Sequence, residues 1–381
     1  MNNNRAGSFI KQPFGYYTFR PNPLPPSPPV KIDSQMISLL SKADRMLGRL
    51  DGVTQTLPNP ELFVAMYVQK EAVLSSQIEG TQASLSDLLD ISSSDEKRHS
   101  IAEVVNYVNA MEYGLKRIRA LPLSLRLIKE IHAVLLNKGR GSSKTPGEFR
   151  SSQNWIGPAG CSLIDATFVP PTVPDMKEAL GDIENFFYSE DEIPPLIKIA
   201  LIHAQFESIH PFLDGNGRMG RLLITFWLCQ QNILSQPLLY LSYYFKKHRT
   251  EYFDSLMKVR QDGEWEQWIN YFLIGVAETS EEAINTAKDI LQLKADCEAK
   301  LQRKGGINYT KLLELLFVTP TVYKSTVSER LGVSTPTASK IVDDFVNLKI
   351  IVDVTPNKQR YKKYAFMKYI IILNRGTELT Q

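Results

Sequence analysis

Apolar residues recur at steps of three and four along most of this 381-residue chain, and that period commits it to a helical core. The pattern runs through 34–50, 60–79, 98–118 and 123–137, then through 174–188, 194–209, 217–232, 242–261 and 264–302. Between the two blocks, residues 146–174 break it with Gly147, Gly157, Pro158, Gly160, Pro170, Pro171 and Pro174. Short β-branched and aromatic pieces among those breakers predict a hairpin or flap. With 43% hydrophobic residues, the chain can bury such a core without staples. Cys161, Cys229 and Cys297 are odd in number, far apart and without CxxC spacing. Neither a disulfide framework nor a clustered zinc site is expected, and a reducing compartment suits them.

The two ends have another texture. Residues 1–33 are rich in Asn and Pro, and the run Arg20-Pro-Asn-Pro-Leu-Pro-Pro-Ser-Pro-Pro29 cannot be helical, because each Pro lacks an N–H and restrains the residue before it. An extended strap is expected there. After Lys304-Gly305-Gly306, short helices precede two β-rich runs, 350–355 and 361–366, around Pro356-Asn357-Lys358. Helices, a turn at Gly332, a cap at Ser334 or Thr335 and a terminal hairpin predict a winged helix over 303–381. The expected fold class is mainly α, a helical bundle with a β-hairpin flap and a C-terminal winged-helix domain. The N-terminus has no apolar h-region, and no run reaches the roughly 18 apolar residues of a spanning helix. A cytoplasmic protein with no membrane contact is expected.

Net charge is only +3, from 44 Lys and Arg against 41 Asp and Glu, so no global polycation argues for nucleic acid. Local chemistry has to decide, and the informative stretch is His210-Pro-Phe-Leu-Asp-Gly-Asn-Gly-Arg-Met-Gly-Arg221. Pro211 disfavours helical geometry in the residue before it, so the helix over 194–209 must end at His210 and hold the imidazole at its tip. Gly215 and Gly217 let backbone N–H groups turn inward where the next helix starts, near Asn216 or Gly217, which favours an anion such as phosphate. Arg218 and Arg221 are three apart and share a face beside that nest, and guanidinium groups suit bidentate phosphate contacts. Asp214 would repel a bare phosphate, and a bridging divalent cation such as Mg²⁺ removes the conflict. A base, a metal carboxylate, an anion nest and two arginines describe phosphoryl or nucleotidyl transfer.

This stretch matches HPFx(D/E)GNGRxxR, the signature of the Fic family, at every fixed position, and the chain resembles that family from about residue 30 through the 270s. The resemblance implies a Fic-type bundle, with an N-terminal helical region over 34–110 that includes an inhibitory helix, and a catalytic core over 111–302. It implies a protein adenylyltransferase that moves AMP from ATP to a Tyr, Ser or Thr hydroxyl of a target protein or of the chain itself. By position, His210 would be the general base and Asp214 would hold Mg²⁺. Gly215, Asn216 and Gly217 would cradle the phosphates, with Gly220 in the same turn, and Arg218 and Arg221 would bind the β/γ end. Phe212 would point into the core and anchor the loop. Over 239–253 the family places its adenosine side. Tyr243, Tyr244 and Tyr252 are stacking candidates, though aromatic residues at helical spacing also read as core. His248 stands where the family has an Asn, before Arg249, and offers adenine a single hydrogen bond.

Ser75-Ser-Gln-Ile-Glu-Gly80 is the second informative stretch. It closes the 60–79 pattern, with Gly80 as a left-handed C-cap. Ser75 and Glu79 are four apart and share a face. A carboxylate at the negative end of a helix is disfavoured by a few tenths to about 1 kcal/mol, which leaves two readings open, an outside cation or a tolerated surface glutamate. The segment also resembles the (S/T)xxxE(G/N) inhibitory motif of Fic proteins. That implies Glu79 pairs with Arg221 and takes the space of the γ-phosphate; the alternative is a glutamate that orients water to remove AMP from a modified target.

The 153–170 region resembles the family's target-docking flap, whose exposed edge would align a target by main-chain hydrogen bonds; an ordinary surface hairpin is the other reading. Arg150 is expected at the flap base with a carboxylate partner, and His203 and Glu207 are expected to pack internally. The winged helix leaves a rival open, a nucleotide-sensing transcription regulator. Residues 307–381 hold 11 Lys and Arg against six Asp and Glu, but the recognition-helix candidate over 335–348 sets Lys340 against Asp343 and Asp344. That is a poor DNA surface, so protein docking or a homodimer is preferred to DNA.

Overall fold

The computed structural model describes residues 5–57, 60–82, 84, 95–139, 141–302, 304–358 and 360–377. Two compact units divide the chain: Met1–Gly52 with Tyr67–Glu281 and Leu379–Gln381, and Val53–Met66 with Glu282–Glu378.

The first unit opens with β1 (Gly7–Lys11) and β2 (Tyr17–Pro21), paired antiparallel with Phe9 opposite Phe19. The first part of the expected strap is therefore a hairpin. Pro13 and Gly15 turn the chain, with the Gly15 N–H donating to the Gln12 carbonyl at 3.0 Å, and the flanking runs carry the aromatic and β-branched residues that pair well. Only the Pro-rich stretch after Pro21 stays free of helix and strand, up to Asp33.

The helices follow the predicted periods: α1 (Ser34–Gln55), α2 (Pro60–Ile78), α3 (Asp95–Arg117), α4 (Leu125–Leu135), α5 (Val173–Phe187), α6 (Pro195–Ile209), α7 (Asn216–Gln230), α8 (Ser242–Lys247), α9 (Arg249–Asp262) and α10 (Trp265–Leu301). Prolines at the first turn and side-chain caps start several of them: Ser124 caps α4, and Thr172 with Pro174 opens α5. Every residue of α6 from Leu196 to Ile209 is buried, which makes it the central rod. Helices α5, α7 and α9 pack on it, and α3 and α4 pair with each other against α7. The single helix expected over 242–261 is interrupted at His248, whose N–H closes α8 on Tyr244 and whose carbonyl opens α9 at Tyr252. The flap does not become a ladder. One antiparallel bridge, Ile156 with Phe168, holds it through bonds of 2.8 and 3.0 Å. Gly157-Pro158 on one side and Pro170-Pro171 on the other stop the pairing there, since Pro cannot donate.

In the second unit, the order is α11 (Ile307–Val318), β3 (Thr321–Tyr323), α12 (Lys324–Leu331), α13 (Thr335–Asn347), β4 (Val352–Asp353), β5 (Lys363–Ala365) and α14 (Met367–Asn374). The strands form one antiparallel sheet in the order β3-β5-β4. Gly332 turns the chain at φ +66°, and Ser334 caps α13 by accepting from the Thr337 N–H. Strand β3 and helix α14 were not anticipated from the sequence. Besides Val53–Met66, the unit takes in the end of α10 from Glu282 onward, and polar ties join that stretch to the helices after Lys304-Gly305-Gly306. Arg375 pairs with Asp289 at 2.8 Å, Lys304 with Asp344 at 2.7 Å, and Lys300 donates to the Leu348 carbonyl.

Candidate active site

The loop between α6 and α7 is built as the sequence requires. Helix α6 stops at Ile209, and His210 adopts the left-handed conformation (φ 49°, ψ 60°). That geometry costs a non-glycine residue about 1–3 kcal/mol and persists only where its surroundings hold it. The hold is visible. The His210 carbonyl accepts from Arg150 Nε and from Asn154 Nδ2, both at 3.1 Å, and the Arg150 N–H donates to the Pro211 carbonyl at 2.9 Å. Arg150 also donates to the carbonyls of Ser152 and Pro171. The carboxylate partner expected for Arg150 is thus replaced by backbone carbonyls, which proline-rich segments leave without ladder partners.

Phe212 is fully buried and stacks on His132, with ring centroids 3.6 Å apart and planes 6° apart. His132 receives the Gly147 N–H on Nδ1 at 2.9 Å, so its proton sits on Nε2 and is donated to the Asp214 carbonyl at 3.0 Å. Burial pushes this imidazole down to about 4, consistent with a neutral ring. Asn216 accepts from the Phe212 N–H and donates to the Phe212 carbonyl, both at 2.8 Å, and Asn154 donates to the same carbonyl at 2.9 Å. His132 and Asn154 were missed from sequence. The only signal was a polar residue amid an apolar helix face, and an Asn within the flap.

Glu79, Glu103, His210, Leu213, Asp214, Gly215, Asn216, Gly217 and Arg218 enclose a pocket of about 210 Å³. Burial, with the Arg260 guanidinium adding to it, pushes the His210 imidazole down to about 4, and its buried Nδ1 finds no hydrogen-bond partner among the described residues. It is a neutral ring with a lone pair to offer. Arg218 is almost fully buried, yet its Nε and Nη1 make no hydrogen bond among the described residues, while Nη2 reaches Asp214 Oδ1 at 3.3 Å and Glu103 lies 3.7 Å from Nη1. Buried cationic donors left open beside a cavity call for an anion. Asp214 Oδ1 also accepts from the Gly215 N–H at 2.6 Å; no bond involves Oδ2 among the described residues.

Helix α2 closes the pocket from the other side. Arg221, buried, donates to Ser75 Oγ at 2.7 Å, to the Ser75 carbonyl at 3.0 Å and to Glu79 Oε1 at 2.7 Å. Gly80 ends this segment at φ +89°. Burial pushes the Glu79 carboxyl up, but Arg221, with smaller help from Arg218 and His210, more than offsets it and leaves it below its ordinary value. A Cβ on Gly217 would sit 2.3 Å from Glu79 Oε1, so the carboxylate lies directly on the glycine of the cradle. The two readings left open for Glu79 resolve to the cation.

Other predicted residues lie elsewhere. Gly220 faces Glu207 and His203, whose atoms its Cβ would meet at 2.5 and 3.3 Å, so it serves helix packing. Tyr244 packs on His248 and Tyr271, and Tyr243 lies beside Tyr240. None of Tyr243, Tyr244 and His248 lines the pocket, although Arg249 next door donates to the Ile78 carbonyl at 3.3 Å. Tyr252 is buried and bonds His203 Nε2 at 2.9 Å, and His203 Nδ1 meets the Gly220 carbonyl, as expected of internal residues. Glu207 is buried too, and burial raises its carboxyl to about 7 against the opposing pull of Arg221.

A helical core that ends one buried rod in a strained histidine and starts the next on a glycine turn thus brings a neutral imidazole and a buried arginine with open donors to one pocket. The family follows from comparison. Residues 37–116 match the profile of the Fic/DOC family N-terminal region and residues 122–228 that of the Fic/DOC family, and the chain belongs to this family. A probable protein adenylyltransferase of Aquifex aeolicus (strain VF5) is 28% identical over 179 residues, 46% of this chain and 52% of the relative. The protein adenylyltransferase Fic of Drosophila grimshawi is 32% identical over 127 residues, 32% of this chain and 24% of its own length. The chain thus spans about half or less of the curated relatives it matches. A Fic family protein from Desulfovibrio desulfuricans G20 shares the fold, with a TM-score of 0.57 at 18% identity over 89% of this chain and 97% of that one. Among the described residues no helix is long and apolar enough to cross a membrane.

Proposed function

We propose that the chain is a protein adenylyltransferase, held in check by Glu79. The observation that carries this reading is one pocket that joins a neutral histidine, a glycine cradle and a buried arginine with open donors. His210 would take the proton of a target hydroxyl, whose oxygen forms a bond to the α-phosphorus of ATP as the bond to pyrophosphate breaks. Arg218 would take the phosphates, and Arg221 would join it once Glu79 withdraws. The donor set suits Mg²⁺, which commonly uses one or two carboxylates plus substrate phosphates: Asp214 keeps Oδ2 for it and Glu103 stands near. When bound, the ion neutralises phosphate charge. The 210 Å³ pocket is too small for a whole nucleotide, in keeping with a carboxylate occupying the γ-phosphate end. A target would lie along the flap over 153–170 and present its Tyr, Ser or Thr to His210. The helix, turn, helix and three-strand order of the second unit is read as a winged helix that docks protein, and the cytoplasm as its place of work.

The test is intact-mass spectrometry of the parent, Glu79→Gly and His210→Ala chains after incubation with Mg²⁺ and ATP, alone and with a cell extract followed by α-labelled nucleotide. Adenylyl groups should accumulate with Glu79→Gly and vanish when His210→Ala is added to it. Labelling that survives the loss of the imidazole sinks the proposal.

A further inference from the structure

The second unit contains a cavity that adenylyl transfer does not use. It measures about 560 Å³, within the roughly 300–1,000 Å³ of small-molecule sites. Its walls are apolar, with Phe63 from the first turn of α2, Ile290 from α10, Leu315 and Phe317 from α11, and Tyr369 from α14. Three cations, Lys294, Lys311 and Arg330, line it against one carboxylate, Glu314. Lys294 is 3.7 Å from Glu298. The side chains of Lys311 and Arg330 make no hydrogen bond or ion pair among the described residues. Both are exposed, so their heads stand in water at the mouth while their stems extend the apolar wall.

An apolar hollow with two uncommitted cations at its rim complements one ligand chemistry. A neutral hydrocarbon would leave the cations unused, and a sugar or polyphosphate would strand polar groups against the apolar wall without partners. We propose that this cavity binds a small amphipathic carboxylate, its hydrocarbon body among Phe63, Ile290 and Leu315 and its head group on Lys311 and Arg330. The placement has a regulatory consequence, which rests on the autoinhibition reading whereas the binding does not. Phe63 belongs to the same continuous helix whose far end carries Ser75 and leads into Glu79, the residues that hold Arg221. A ligand seated against Phe63 therefore bears on the element that keeps the arginine occupied.

The test uses the full chain and the fluorescent anion 1-anilinonaphthalene-8-sulfonate, displaced by hexanoate, octanoate or decanoate. Displacement should tighten about fourfold for each added methylene, the equivalent of its burial. Decanol, with the same body and no charge, should compete about tenfold less well. Reversing both rim charges (Lys311→Glu with Arg330→Glu), at exposed positions where folding is not at stake, should weaken decanoate about tenfold with an unchanged melting temperature. Leu315→Trp, which fills the cavity, should remove binding. Equal competition by decanol, or unchanged decanoate binding in the charge-reversed chain, overturns the proposal. These readouts need no nucleotide, so they stand or fall apart from adenylyl transfer. For the coupling, decanoate should alter labelling of the parent chain and not of Glu79→Gly; an equal effect in both, or none in the parent, overturns that part.

Discussion

Neutralising Glu79 without changing its shape is the sharpest perturbation of the site. In Glu79→Gln, Arg221 keeps its bonds to Ser75 Oγ and to the Ser75 carbonyl and loses only the charge on its third acceptor, now 2.7 Å away. A hydrogen bond to a charged group contributes about 1.5–3 kcal/mol. Arg221 is 2% exposed, but the Glu79 side chain is 38% exposed, and solvent screening pulls the contribution down to about 1–2 kcal/mol. That energy is a factor of roughly 5–30 in the balance between the occupied and released arginine. The initial rate of incorporation from α-labelled ATP should therefore rise about five- to thirtyfold in Glu79→Gln. It should rise further in Glu79→Gly, where the space over Gly217 also opens. Calorimetric titration with a non-hydrolysable ATP analogue should show the same order of affinities. A Gln variant that matches the parent while the Gly variant is activated would mean that volume, not charge, holds the site closed. If neither differs from the parent, the restraining role of Glu79 is refuted.

The pH dependence carries two further expectations. With the His210 imidazole pushed down to about 4, the transfer rate should be flat from pH 8 to pH 5 and fall only below that; an inflection near pH 6.5 would contradict a buried neutral base. Glu207, raised to about 7, binds its proton more tightly in the folded chain than in the unfolded one, so its contribution is complete below its ordinary value and is lost as pH rises through 7. Glu207→Gln should stabilise the chain at pH 8 by about 3 kcal/mol in urea titrations and change little at pH 4; a gain that is the same at both values would refute the burial argument. Asn216→Ala leaves the buried Phe212 N–H without its acceptor and should destabilise by about 1–3 kcal/mol, whereas Asn216→Asp, which keeps an acceptor, should be milder.

The helical core and the 210–221 turn were legible in the sequence because period and punctuation act locally. Pro211 ends α6, Gly215 starts α7, and Ser75 and Glu79 share a face whatever surrounds them. What stayed hidden was set by contacts distant in sequence. Asn216 lines the pocket where its place in the motif puts it, and its amide also closes on the Phe212 backbone, a ring visible only once the loop is folded. Arg150 and Asn154 clamp the His210 carbonyl from the flap, 60 and 56 residues away in sequence. The N-terminal hairpin is hidden by the proline content of 1–33 as a whole, yet Pro13 and Gly15 lie at the turn and leave the flanking runs free to pair. Strand β3 is three residues long, below what a period-2 pattern can reveal.

In the proposed enzyme the 210–221 turn seats a nucleotide triphosphate against a proton-accepting imidazole. A crystal structure of the Glu79→Gly chain with Mg²⁺ and a non-hydrolysable ATP analogue tests it most directly. The α-phosphate should lie beside His210, the outer phosphates on Arg218 and Arg221, and the metal on Asp214. Phosphates bound away from that turn, or density with His210 facing no part of the nucleotide, would contradict it.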